Sequence, residues 1–194
     1  MTTDPAKPTL DLARALRIQA HANRLANKRL QGALANLSTS ELHAPRTSFF
    51  PTIIGTLNHL LAVDLYYIAA LHGEADMAAR YERYAPHDEL ASYASAQDVS
   101  DRRLIAFCDR LDAAGVNAEV AMDRGEGRVQ RDLAGHVLQH LFMHQTHHRG
   151  QVHAMLSGTA VKPPQLDEFL MPSDAKFRVS DMAALGWNER SVYG

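Results

Sequence analysis

Two histidines four residues apart, His144 and His148 in the segment HLFMHQTHHRGQ, carry the first chemistry this chain suggests. Residues at that spacing stack on one face of a helix, with Cβ atoms about 5–6 Å apart. Two imidazoles so placed can converge on one cation at metal–nitrogen distances of about 2.0–2.1 Å. On a wheel of about 100° per residue, Leu133, Val137, Leu141, Val152 and Met155 define an apolar stripe, and His144 and His148 fall inside it. A lone histidine in such a stripe is ordinarily a hydrogen-bonded core residue. A stacked pair is different, because both rings would be desolvated with few other partners. His140 is intermediate, one helical turn before His144, while His136 and His147 lie at the edge of the stripe or beyond and His153 lies well outside it.

A third ligand has to come from another helix. His59, in NHLLAVDLYY, stands on a segment that is apolar nearly all round, and such a helix is buried. Its own side carries Gly55, Ala62, Tyr66 and Ala70, of which the small ones leave room for an imidazole and something bound to it. The plain alternative is a core histidine bonded to a carbonyl, and His21 and His140 compete for the third position. Zinc-protease chemistry needs glutamate directly after the first histidine as its base, and Gln145 stands there. A ferritin-like diiron site needs glutamate followed three residues later by histidine, which no glutamate here has. GxGxxG, P-loop and GxSxG signatures are also missing.

The elements that must position these residues are helices. Apolar spacing predicts four long ones, at about Leu10–Asn36, Pro51–His72, Asp88–Ala114 and Asp132–Ser157. Thr9 is a candidate N-cap for the first, with Asp11 in its positive first turn. Gly73, Gly115 and Gly158 are candidate stops for the other three. The stretch from Gly73 to His87 reads as a long polar loop, and Val116–Arg131, with Gly125 and Gly127, as irregular or a short hairpin. Pro163 and Pro164 open a tail with one short helix around Asp181–Leu185. The expectation is an all-α four-helix bundle with long connections, a single domain over 1–194 with its core at about 9–158 and an extension at 159–194.

Composition agrees with a soluble globular chain: 194 residues, 46% hydrophobic and 22% charged. A net charge of −2 gives no electrostatic footprint for nucleic acid or anionic lipid. The longest uncharged run, Thr47–Val63, is shorter than the roughly 20 apolar residues a membrane span needs. One cysteine, Cys108, makes no internal disulfide, so a reducing, cytoplasmic setting is expected. Cys108, Met143 and Met155 read as packing residues.

At this point NHLLAVDLYY, HLFMHQTHHRGQ, HANRLANKRL and PPQLDEF together resemble the DinB/YfiT-like metalloenzyme family, over most of the chain from the first helix to about Phe169. The resemblance implies a DinB-type four-helix bundle whose ligands are the histidine of the second-helix motif and the first and last histidines of HQTHH. In this sequence those are His59, His144 and His148. It also implies zinc or nickel as the metal and a homodimer as the assembly. Asp64, His140, His147, Arg149 and Gln151 are candidates for bracing ligands or substrate through hydrogen bonds. Three neutral imidazoles leave a coordination position open, as catalytic sites do. The family resemblance extends to thiol-dependent S-transferases, so the leading expectation is an enzyme in which the metal holds a low-molecular-weight thiol as thiolate. A metal-dependent hydrolase, with His140 or Asp64 as base, and a non-catalytic metal-binding or sensing bundle are the alternatives.

Overall fold

The computed structural model describes residues 10–194, and Thr9 lies outside them. Its first helix, α1 (Leu12–Leu34), begins where Asp11 accepts a hydrogen bond from the Arg14 amide (2.8 Å). Asp11 is therefore the cap itself rather than a first-turn residue, because its side chain satisfies an amide the helix cannot. A five-residue helix, α2 (Thr39–His43), follows in the polar connection, started by a capping box between Ser38 and Glu41. Thr52 caps α3 (Ile53–Leu71) by accepting from the Gly55 amide at 3.0 Å, so Pro51 precedes the helix instead of opening it. Gly73 ends α3 as expected, with φ +67.

The polar stretch after Gly73 is not all loop: α4 (Met77–Glu82) forms there around buried Met77. The third long helix, α5 (Leu90–Cys108), is shorter than its pattern suggests. The chain breaks after Cys108, and Asp112 caps a separate turn, α6 (Ala113–Val116), which contains Gly115. A hairpin of β1 (Glu119–Asp123) and β2 (Val129–Leu133) pairs antiparallel, Glu119 opposite Leu133. It feeds directly into α7 (Ala134–Leu156), so Asp132 and Leu133 belong to the strand and Leu133 is partly exposed. After α7 come a 3₁₀ turn (Pro172–Phe177), α8 (Val179–Ala184) and α9 (Glu189–Tyr193).

Helices α1, α5, α3 and α7 close a four-membered ring in that spatial order, each packed on the next. Two apolar layers fill its ends. One joins Leu16, Ile68, Leu104, Cys108, Leu138 and Leu141, and the other joins Leu30, Leu34, Ile53, Leu57, Tyr93 and Leu156. Cys108 packs as expected, and burial pushes its thiol up to about 12. α3 is long and apolar enough to cross a membrane, but most of it is buried within this bundle. The C-terminal extension lies on α1, where Phe169, Met182 and Val192 cover Ala22, Leu25 and Ala26. Arg29 clamps it by donating to Glu168 (2.7 Å), to Asp181 (2.7 Å) and to the Phe177 carbonyl (2.8 Å).

Between the two apolar layers runs a buried polar one to which all four long helices contribute. Asp64 of α3 accepts from Gln97 (2.8 Å) and Gln145 (2.9 Å). Asp101 accepts from Gln97 (3.1 Å) and, on both oxygens, from Asn27 (3.0 and 3.1 Å). Arg149 donates to Asn27 (3.1 Å) and to Asn23. Each partner satisfies a group that burial would otherwise leave without water.

Candidate metal centre

Residues from the first half of α3 and the middle of α7 meet on the seam where these helices pack. His59 comes from α3, and His144 and His148 come from successive turns of α7. Their ring centroids lie 5.1 Å (His59–His144), 4.6 Å (His59–His148) and 4.4 Å (His144–His148) apart. One nitrogen from each ring lies within 4.8 Å of the others. The Nε2 atoms of His59 and His144 face each other at 3.1 Å. Two nitrogens on one tetrahedral ion at about 2.0–2.1 Å stand roughly 3.3 Å apart, so the rings are spaced to share a cation. His21 is elsewhere: its Nδ1 donates to the Arg17 carbonyl at 3.0 Å, and its ring packs on Trp187.

The site's electrostatics favour metal over proton. Burial, followed by the neighbouring histidines His148, His59, His140 and His147, lowers the pKa of His144 to about 3. Burial and His148 lower that of His59. Burial also lowers that of His148, against an opposing hydrogen bond with Gln151. All three rings are therefore neutral near pH 7, the state in which imidazole binds metal. His148 is almost fully buried, whereas His59 and His144 are half-buried, so His59 is more open than its apolar helix suggested.

Neighbours fix the rings. His148 Nδ1 donates to Gln151 Oε1 at 2.8 Å, which leaves Nε2 with its lone pair free for an ion. Gln151 in turn donates to the exposed ring of His147 (3.1 Å). Gln151 thus braces a ligand, and His147 acts through it. Removing such a partner commonly costs 10–100-fold in metal affinity. Gln151→Ala is expected to weaken zinc binding by about that factor with the fold unchanged, as read by competition with a chromogenic chelator. Equal affinity in the two proteins would show that Gln151 orients nothing.

Phe50, in the segment leading into α3, stacks on His59 with centroids 4.3 Å apart and lies 5.7 Å from His148. Its position in an irregular connection hid it from periodicity. On the other side, His144 also lines a cavity of about 310 Å³ together with Tyr66, Tyr67, Tyr81, Arg124 and His140. His140 stacks 6.5 Å from His144 and packs against Tyr67 at 5.1 Å.

Asp64 and Arg149 do not touch the three rings. Both belong to the polar layer inside the bundle, with Asp64 fully buried. One Asp64 oxygen has no partner among the described residues, and burial pushes this carboxyl up to about 7, with Asp101 repelling it and Gln97, Gln145 and Arg149 opposing. A carboxyl raised in the folded state stabilises it below the unfolded value of 3.8, and that contribution is lost as pH climbs through about 7. Asp64→Asn keeps the site neutral at all pH. Its urea midpoint, relative to the unaltered chain, is expected to rise from pH 4.5 to about pH 7 and to level off by pH 8. The histidine titrations act oppositely but are common to both proteins and cancel in the difference. A difference that is flat with pH would refute the assignment.

Residues 18–178 match the DinB family. The chain is also 26% identical over 152 residues to Protein DinB of Bacillus subtilis (strain 168), covering 75% of this chain and 87% of that relative.

Proposed function

This chain belongs to the DinB family, and on that premise we propose that it is a metal-dependent enzyme of the thiol S-transferase type. The observation that supports this most is the open set of three neutral imidazoles, His59, His144 and His148, beside a cavity that His144 shares. Zinc or nickel suits three nitrogen donors. Such an ion, when bound, would stabilise a coordinated thiol as thiolate. The chain's own residues do the rest. Gln151 holds His148 in the tautomer with a free Nε2, Phe50 covers His59 and keeps water from that side, and the cavity receives the electrophile beside His144.

Among the described residues no carboxylate joins the histidine cluster, and Asp64 is sealed in the bundle, so the hydrolase reading loses one of its two candidate bases. His140 keeps that reading open, because it lines the cavity one turn from His144. The test is to assay zinc- and nickel-loaded protein against a panel of low-molecular-weight thiols with electrophiles, alongside ester and amide substrates. Thiol-dependent product absent in His144→Ala supports the transferase. Thiol-independent hydrolysis lost in His140→Ala favours the hydrolase, and no turnover by any metal form favours a binding or sensing bundle.

A further inference from the structure

Arg124 follows the first hairpin strand at one side of the cavity, and among the described residues its guanidinium has no acidic partner. Its Nε donates to Gln130 (3.0 Å) and its Nη2 reaches the Tyr67 hydroxyl at 3.4 Å. The guanidinium carbon lies 5.2 Å from the Tyr66 ring centroid and 5.6 Å from that of Tyr67. Tyr66 is itself fixed, since its hydroxyl donates to the Asp123 carbonyl at 2.6 Å. These contacts orient the cation without neutralising it. The hairpin's acids are occupied elsewhere: Glu119 pairs with Arg131 (2.7 Å), Asp123 accepts from the Gly125 amide (2.8 Å), Glu126 faces Arg128 (3.9 Å) and Asp132 accepts from Gln130 (2.6 Å). Among the described residues no carboxylate comes within ion-pair distance of Arg124, and no acidic residue lines the cavity. A half-buried, oriented, uncompensated arginine in an aromatic-walled cavity is an anion site, and its planar fork matches a carboxylate.

We propose that the cavity binds a small organic carboxylate, with the carboxylate on Arg124, the carbon skeleton between Tyr66, Tyr67 and Tyr81, and the far end directed at His144 and the ion it would hold. One guanidinium supplies one positive charge, which matches a carboxylate and leaves a phosphate dianion half-compensated. A cavity of about 310 Å³ suits a compact ligand. The proposal deepens the enzymatic reading by naming its substrate class, and it rests on that reading only for what happens at the far end.

The experiment measures binding of benzoate and 3-phenylpropanoate, each against its neutral amide, by NMR titration of the full chain in zinc-loaded and chelator-treated forms. Each acid is expected to bind about tenfold or more tighter than its amide, as one charge-assisted pair would give. That preference should persist in the chelated protein, vanish in Arg124→Gln with zinc content unchanged, and return in part in Arg124→Lys. Acids and amides binding alike in the unaltered chain would overturn the proposal without reference to any variant's folding. An acid preference untouched in Arg124→Gln but abolished by chelation would also overturn it, placing the carboxylate on the metal and leaving the metal centre intact.

Discussion

Zinc is expected to raise the melting temperature of the unaltered chain by roughly 8–16 °C and to leave that of His144→Ala unmoved. The magnitude follows from linkage: metal at a thousandfold excess over its dissociation constant stabilises the folded state by about 4 kcal/mol. In a protein of this size each kcal/mol is worth about 2–4 °C. His144 is the informative position because its ring lies 5.1 and 4.4 Å from the other two and its pKa is lowered furthest, to about 3. Its buried Nδ1 also has no hydrogen-bond partner among the described residues. Removing that ring takes away an unsatisfied polar atom together with its Nε2 contact to His59, so the metal-free variant should melt close to the metal-free parent. A variant merely damaged in folding would melt lower in both conditions. A zinc response equal to the parent's would move the metal elsewhere.

Arg149→Met is expected to destabilise the bundle by about 3–5 kcal/mol, the cost of removing one partner from a buried charge network. Arg149 is buried, donates to Asn23 and Asn27, and through Asn27 is linked to both oxygens of Asp101. Without it two asparagine oxygens lose their donor, and the charge on Asp101, whose carboxyl burial already pushes up to about 6, loses its nearby counter-charge. Methionine fills similar volume, so the loss reads the polar network and not a cavity. Urea unfolding at pH 8 measures it. A change under about 1 kcal/mol would mean that the layer is held by its amides alone.

Much of this centre was legible in the residues. A four-residue histidine step inside an apolar stripe is a local pattern, and it located His144 and His148 without tertiary knowledge. The apolar surround of His59 pointed to the correct helix, and the family's motifs selected it over His21 and His140. The polar layer was less visible, because Asn23 and Asn27, Gln97 and Asp101, and Gln145 and Arg149 each look like ordinary solvated positions. Their signal is that each pair is itself a four-residue step interrupting an apolar face at the same height. Asp64 and Arg149, expected to brace the ligands, belong to that layer instead, since sequence proximity does not say which side of a helix faces which neighbour. Phe50 and Arg124 sit in a connection and a hairpin end, where no periodicity operates. The early end of α5 at Cys108 was hidden for a related reason: no glycine or proline precedes Gly115, and the break is made by the Asp112 cap.

His59, His144 and His148 are expected to hold one divalent ion together. The direct measurement is elemental analysis of the full chain after zinc loading and gel filtration, beside His59→Ala and His148→Ala. One equivalent of zinc per chain in the unaltered protein, reduced to a small fraction in both variants, is the predicted result. Zinc retained in full by both variants, or not bound by the unaltered chain, would contradict it.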